Sequence, residues 1–321
     1  MSTEIIYRIE GLTIDAVTPL ARRRLVDDFS LEVRRGEIYG LVGETGSGKS
    51  IAMLASVGLA GRGLQVTGGT VQFAGRTKPA TQPAHLRRNL AHGVSLLFQN
   101  AKGALNPFLR CAQQVERVLA LRKVPKTARK ERLAELFAAV GLELAEIGPK
   151  YAHEISGGQA QRVAMACALA TEPQLLIADE PTTALDVTTE REVLKFLRAL
   201  CVERNMAMIL IAHNLALVAE QCHRLSILHA GHLVETGAVA ATFAQPLHPY
   251  TQGLLAAIPD VDDPHELTPL VGSVWGGGWP INRCRFAHRC PHMTGQCVQA
   301  IPPLTRRGDQ AVRCVLYEEL P

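Results

Sequence analysis

The sequence predicts an α/β fold with a mostly parallel sheet, and three observations predict it. An apolar run, Ile38-Tyr39-Gly40-Leu41-Val42, reads as a buried strand and feeds the glycine-rich segment Gly43–Ser50, after which Ser50–Leu59 has helix-compatible composition. From Ser156 to about Glu220, helical stretches alternate with apolar strand runs, the pattern of parallel strands joined by crossover helices. Between these regions lie helical periods over Cys111–Lys123 and Lys126–Val140, the second stopped at Gly141.

Residues 1–98 read as strand-rich, with Gly68-Gly69 and Gly75 marking turns. Glu4, Arg8 and Glu10 interrupt an alternating N-terminal stretch, so there is no secretory h-region. No run approaches the ~18 apolar residues that a membrane span needs. The chain is therefore expected to be cytoplasmic and not itself a channel. At 321 residues and 47% apolar content it can bury a substantial core. A net charge of +4 gives little support to nucleic-acid binding. The run Arg22-Arg23-Arg24 reads as a solvated basic loop face.

Gly43-Glu44-Thr45-Gly46-Ser47-Gly48-Lys49-Ser50 is the pattern G-x-x-x-x-G-K-[ST] in its strand–loop–helix context. Glycines let backbone N–H groups close around phosphates, and the helix N-terminus adds partial positive charge. Lys49 is placed to reach the β- and γ-phosphates of a nucleoside triphosphate, and the Ser50 hydroxyl to ligate Mg²⁺.

Far downstream stands Ile155-Ser156-Gly157-Gly158-Gln159-Ala160-Gln161-Arg162. With both motifs in one chain, the sequence resembles the ATPase subunit of an ABC transporter. Ser156 can cap a helix over about Gly157–Ala170, whose N-terminus attracts phosphate. The resemblance implies a P-loop NTPase (RecA-like) core with an antiparallel β subdomain and an inserted helical subdomain, about 100–170, that grips a permease. It also implies that Ser156, Gly157, Gly158 and Gln159 serve the ATP held by a partner subunit. Asp179-Glu180 ends the apolar run Leu175–Ala178, and acids there are costly without a cation. By the resemblance, Asp179 holds Mg²⁺, Glu180 polarises the attacking water, and Gln99, after Val94–Phe98, touches metal and water. Likewise His213 contacts the γ-phosphate, and Asp186 in Ala184-Leu185-Asp186 belongs to a loop that crosses the dimer interface. Two positions depart from the family pattern: Asn100-Ala101 stands where Asp-Pro is usual, before Leu105-Asn106-Pro107, and Asn214 replaces an aspartate after His213.

Two short strands are expected near Leu225–Leu228 and His232–Glu235, closing a nucleotide-binding domain at residues 1–245. The string His248-Pro249-Tyr250-Thr251 resembles the oligopeptide/dipeptide/nickel branch of the family. Residues 246–280 read as a linker, and Trp275-Gly276-Gly277-Gly278-Trp279 suggests no mechanism. The extension 281–321 concentrates Cys284, Cys290, Cys297 and Cys314, four of the eight cysteines, separated by five, six and sixteen residues. Their spacing resembles the C-terminal region of peptide-importer ATPases, which implies a 4Fe–4S cluster on four thiolates. Structural zinc, whose cysteine pairs usually sit closer, and unligated thiols are the alternatives. Cys111, Cys167, Cys201 and Cys222 read as small core residues.

The family stacks adenine on an aromatic near the first strand. The expected place, Ile14–Val17, holds Asp15-Ala16, and no aromatic lies between Glu10 and Leu25. The base should be held less firmly unless an arginine of 22–24 covers the ring. The resemblance as a whole implies an ATP hydrolase, peripheral on the cytoplasmic face of the inner membrane, powering an importer of di- or oligopeptides. Its implied partners are a second, non-identical ATPase subunit, two permease subunits and an extracytoplasmic solute-binding protein, with no nucleic acid. Import of nickel or a metal chelate is the alternative within the class, and a soluble non-transport ABC ATPase the alternative outside it.

Overall fold

The structure is a computed structural model and describes residues 3–182, 187–258, 270–276, 278 and 282–318. In chain order it holds β1 (Ile5–Val17), β2 (Arg22–Arg34), β3 (Ile38–Val42), α1 (Lys49–Ser56), β4 (Leu64–Phe73), β5 (Arg76–Pro79) and α2 (Pro83–Ala91). There follow β6 (Val94–Leu97), α3 (Ala101–Ala104), α4 (Cys111–Leu121), α5 (Lys126–Ala139), α6 (Leu144–Ile147), α7 (Gly157–Leu169), β7 (Leu175–Asp179), α8 (Val187–Glu203) and β8 (Ala207–Ala212). The remainder is α9 (Leu215–Gln221), β9 (Arg224–His229), β10 (His232–Ala238), α10 (Val239–Ala244), α11 (Pro249–Ala256), β11 (Thr305–Arg307) and β12 (Gln310–Val312). The chain divides into two compact units. One joins the residues up to Arg87 with those from Leu210 onward, and the other is Arg88–Ile209.

In the first unit, β1 is the spine of an antiparallel sheet of order β2-β1-β4-β5. Its buried residues Tyr7, Ile9, Leu12 and Ile14 do not keep strict alternation, because the register shifts between Ile9 and Leu12 and again before Ile14. Bulges of this kind re-aim side chains. A second run of strands, in the order β11-β12-β10-β9-β3, carries the phosphate loop at the carboxyl end of β3. β3 pairs in parallel with β9, Gly40 against Leu225 and Val42 against Ile227. All five residues of β3 are buried, which explains its unbroken apolar sequence. The Tyr39 hydroxyl is satisfied by Ser226 Oγ at 2.7 Å and Thr236 Oγ1 at 3.1 Å.

Gly231 shows why the β9–β10 turn needs glycine. Its φ is +80°, and a Cβ there would lie 1.7 Å from the Leu25 carbonyl oxygen. The same residue donates its N–H to Ser47 O at 2.7 Å and accepts from Asp27 N at 3.1 Å. The turn therefore ties the phosphate loop to β2.

In the second unit, β6 pairs in parallel with β7, Val94 against Leu175 through Leu97 against Ala178. Helix α7 packs against β6, and α3, α4 and α5 pack against α7. The insertion expected from the helical periods over 111–140 is formed by α4 and α5. Its short connections are closed by side chains. Asn100, the residue found in place of aspartate, accepts from Gly103 N at 2.9 Å and caps α3.

Two expectations are corrected. Arg22–Arg24 is not a loop face but the start of β2, paired with Val17, Ala16 and Asp15 of β1. Asp15, 1% exposed, receives Arg22 Nε at 2.6 Å and Arg24 Nε at 3.0 Å, and Arg24 also reaches Asp27 at 3.1 Å. The polar residue at the expected stacking position is thus the anion of an ion-pair network, and Arg22 and Arg24 are engaged with it. The second correction concerns 246–280, where α11 is a folded helix with Tyr250 and Thr251 fully buried. Pro249 at its first turn and the His248 side chain, accepting from Tyr250 N at 3.0 Å, start it.

Burial alone raises the proton affinity of Asp15, but the hydrogen bonds from Arg24 and Arg22 more than offset this and hold the carboxyl below its ordinary range. A folded-state value below the unfolded one stabilises the fold above the unfolded value, and that stabilisation is lost as the pH falls through the folded value. Asp15→Asn should therefore lose about 1.5–3 kcal/mol at pH 7, the range for hydrogen bonds to charged groups. Urea unfolding of both proteins at pH 7 and pH 3 checks this: the gap between them should narrow in acid. Equal stability at pH 7, or a gap unchanged at pH 3, would remove the network from the account of the fold.

Candidate nucleotide site

The phosphate loop leaves β3 through Gly43, whose φ is +150° and whose hypothetical Cβ would meet the Leu228 carbonyl oxygen at 2.1 Å. No other residue can start the loop this close to β9. Gly48, in the left-handed region, caps α1, and Lys49 and Ser50 form its first turn. Lys49 is 5% exposed, and its Nζ donates to Gly43 O at 2.7 Å and Glu44 O at 3.1 Å. The ammonium is curled across the loop on backbone carbonyls. A phosphate entering the loop offers stronger, charged acceptors for the same group. Loop N–H groups, the dipole of α1 and Lys49 together make an anion cradle, and Ser50 is the hydroxyl donor fit for Mg²⁺.

Further attachments hold the loop, and sequence reasoning missed them. Glu44 N donates to the Tyr250 hydroxyl at 2.9 Å. The Glu44 carboxylate accepts from Arg289 Nη1 at 2.7 Å and Nη2 at 3.0 Å, a bidentate pair. Trp275 Nε1 donates to Gly46 O at 3.1 Å. Behind them sit Phe286, Tyr250, His229 and His248 in mutual ring contact. Burial, followed by the charge of Arg289, lowers His229 to about 2, and burial lowers His248 to about 3, so both rings are neutral at pH 7. The signals available in sequence were the His248–Thr251 string and the unexplained Trp275. Neither points to a loop more than 200 positions earlier.

In the second unit, strand register brings Gln99 and Glu180 together. Parallel strands that match Leu97 with Ala178 bring Gln99 opposite Glu180 two residues on. Gln99 Nε2 donates to Glu180 Oε2 at 2.6 Å. Asp179 ends β7, and Glu180 takes a φ of +44°. A left-handed glutamate is uncommon and costs free energy, a strain that recurs at functional turns. The arrangement places a carboxylate, held by an amide, at the carboxyl ends of two parallel strands.

Helix α7 begins with a reciprocal cap. Ser156 Oγ accepts from Gln159 N at 3.2 Å, and Gln159 Oε1 accepts from Ser156 N at 3.0 Å. The exposed Ser156 and the adjacent Gly157 and Gly158 therefore present a rigid, electropositive helix end. His213 follows β8 and is exposed. Asn214 caps α9 through Oδ1, accepting from Ala216 N at 2.9 Å, a role that an aspartate would fill equally well. Asp186 lies outside the described residues, as does Trp279.

The four C-terminal cysteines all lie between residues 284 and 314. Burial first, then the thiols of Cys297, Cys314 and Cys290, pushes Cys284 up to about 11. Cys284 N donates to Cys297 O at 2.9 Å, and Cys314 packs with Leu247, Val312 and Tyr317. Their chemistry suits a thiolate-bound cluster. A closed ligand set is not formed, however: among the described residues no group of three or more Cys, His, Asp or Glu side chains is arranged to hold a metal ion. Also among the described residues, no helix is long and apolar enough to cross a membrane.

Residues 26–183 match the family described as ABC transporter, and residues 234–297 match the oligopeptide/dipeptide transporter C-terminal region. The oligopeptide transport ATP-binding protein AppD of Bacillus subtilis is 39% identical, covering 92% of this chain and 91% of that protein. The dipeptide transport ATP-binding protein DppD of Escherichia coli is 38% identical, covering 95% of this chain and 94% of that protein. Among solved structures, the dimeric ATP-binding cassette MJ0796 bound to ADP and Pi superposes with a TM-score of 0.65 at 24% identity, covering 73% of this chain and 98% of that one. The cassette cbiO1 of Clostridium perfringens gives 0.64 at 24% identity, covering 75% and 92%. These two establish the fold. With loop, capped glycine pair, acidic strand end and both family matches in one chain, the protein belongs to the ABC transporter ATP-binding subunits, in the branch that carries the oligopeptide/dipeptide C-terminal region.

Proposed function

We propose that this chain is the ATP-hydrolysing subunit of a multi-subunit ABC importer for di- and oligopeptides. The Gln99–Glu180 hydrogen bond of 2.6 Å carries the catalytic part of the reading, because it presents a held carboxylate beside Asp179 at a strained strand end. Relatives named for oligopeptide and dipeptide transport, matched over almost the whole chain, support the substrate class.

In this reading Gly43–Ser50 cradles the triphosphate, Lys49 takes the β- and γ-phosphates, and Ser50, Asp179 and Gln99 serve Mg²⁺. Glu180 polarises the attacking water, with His213 on the γ-phosphate. Ser156–Gln159 and Asp186 act on the nucleotide of the second ATPase subunit, a non-identical paralogue. The permease subunits dock on the helical unit. A cleft of about 370 Å³ there, lined by Leu96, Phe98, Leu105, Leu109 and Val118, supports this, as does Phe108 at 86% exposure. A solute-binding protein outside the membrane delivers the peptide, and the chain works on the cytoplasmic face of the inner membrane.

Glu180→Gln in the assembled transporter should lower ATP turnover by about 10²–10⁴-fold while ATP binding persists. Lys49→Ala should instead lose nucleotide affinity. Steady-state hydrolysis and calorimetric ATP binding separate the two, and full turnover by Glu180→Gln would remove its assigned role. Uptake of a labelled dipeptide into cells lacking this chain should fall to background and return with the gene. Uptake restored for nickel but not for peptide would redirect the substrate class.

We also propose that Cys284, Cys290, Cys297 and Cys314 hold a 4Fe–4S cluster that staples the extension; when bound, it crosslinks four points of a segment with little core of its own. The concentration of four of the eight cysteines between residues 284 and 314 supports it. Anaerobically purified protein should be brown and bleach with dithionite, and a serine at any of the four positions should loosen residues 282–318 to protease. One zinc without iron keeps a staple but replaces the cluster. No metal, with all four thiols alkylated in the native protein, rejects both.

A further inference from the structure

We propose that the C-terminal extension is a working part of the ATP site and that Arg289 is its positioning residue, serving as countercharge and anchor for Glu44 of the phosphate loop. The inference rests on reading residues 43–50 as the ATP-binding loop.

Glu44 is the second residue of a loop whose ligand is strongly anionic, and a carboxylate there opposes the ligand unless it is neutralised. Arg289 neutralises it. Its side chain is 1% exposed, against 29% for Glu44, so the arginine brings a desolvated charge to a half-open loop. A guanidinium so buried must spend its donors well. Two N–H groups grip the two oxygens of Glu44, Nε donates to Val271 O at 2.9 Å, and Nη2 also reaches Leu270 O at 3.3 Å. The Phe286 ring lies 5.8 Å from its carbon centre. Arg289 is thus fixed from three sides and holds Glu44 in one place.

Two other contacts make the grip specific to the first half of the loop. Tyr250, fully buried, receives Glu44 N, and Trp275 donates to Gly46 O. The three attachments come from 250, 275 and 289, and all act on residues 44–46. They fix the backbone before the glycine that opens α1, and they leave the N–H groups of the later loop residues to the ligand.

If Arg289 positions the loop for nucleotide, its loss weakens ground-state binding more than the chemical step. ATP binding to the full chain is measured by calorimetry well below the melting temperature, with circular dichroism confirming the fold. Arg289→Ala should raise the Kd for ATP by about tenfold, the effect of leaving the loop carboxylate uncompensated. In a Glu44→Gln background the same substitution should cost less than about twofold, since the charge that needed Arg289 is gone. A merely structural role for Arg289 costs the same in both backgrounds and overturns the proposal. So does an unchanged Kd in Arg289→Ala. Where Arg289→Ala fails to fold, Arg289→Lys, which keeps charge but loses the bidentate grip, takes its place and should give an intermediate Kd; a wild-type Kd overturns the proposal. As a second readout, Trp275 emission in a Trp279→Phe chain should change saturably with ATP, at the calorimetric Kd; no change overturns the contact at Gly46. Lys49→Ala separates the two layers: ATP binding retained there rejects the loop reading itself, whereas binding lost there but intact in Arg289→Ala rejects this inference alone.

Discussion

A loop that binds phosphate with its own backbone can spare few of its N–H groups to hold itself together. Apart from Glu44 N on Tyr250 and Ser47 N on Glu44 O, its shape is imposed largely through its carbonyls and side chains. Glycine dihedrals supply part of it, at Gly43 and Gly48. The rest comes from groups that take up the carbonyls and the side chains. Lys49 lies on the Gly43 and Glu44 carbonyls, Gly231 N takes the Ser47 carbonyl, and Trp275 takes that of Gly46. Each of these is a donor to the loop. Donors on the carbonyl side orient the peptide planes so that the opposite edges point their N–H groups into the cradle.

The second unit meets a different constraint. The acidic end of β7 is only partly exposed, and strand register supplies an amide partner to one of its carboxylates. Parallel pairing of β6 with β7 fixes which residue of one strand end faces which of the other. The polar outcome, an amide on a carboxylate, follows from a two-residue overhang on both strands. Glu180 then bends away in a left-handed conformation, which takes its side chain off the pleat of β7.

Much of this was legible in the sequence because it is local. The strand–loop–helix unit, the reciprocal cap of α7 and the helical insertion all rest on neighbours within a few residues, which patterns report well. Asn100 and Asn214 read as departures from the family pattern, yet each caps a helix, a role that shows once the helix start is known. Arg22–Arg24 reads as a solvated face because three consecutive basic residues carry no sign of a buried partner. The partner that gives them meaning is paired across a hairpin with shifted register. Arg289 and Glu44 stand 245 positions apart, and no periodicity or composition joins them. The four cysteines were legible as a concentrated set, but ligand geometry depends on side-chain directions that spacing does not encode.

The placing of Tyr250 shows how a distant segment becomes part of a site through ordinary backbone needs. Glu235 of β10 is fully buried and, without partners, would be a liability. It accepts from Leu247 N at 3.0 Å, from His248 N at 2.8 Å and from Gln310 Nε2 at 3.2 Å. Those bonds fix where α11 begins, and the neutral His248 ring then caps its first turn. The helix starts in one place and in one orientation, so its second residue, Tyr250, has one direction to point. That direction ends at Glu44 N. The same carboxylate, through Gln310, reaches β12, which pairs with β10 and packs Val312 against Cys314. One buried acid therefore couples the start of α11, the strand beside the cysteines and, through Tyr250, the phosphate loop. The extension is keyed into the nucleotide-binding unit by hydrogen bonds whose loss would leave a buried carboxyl group without partners, which is why its order and that of the loop belong to one structural account.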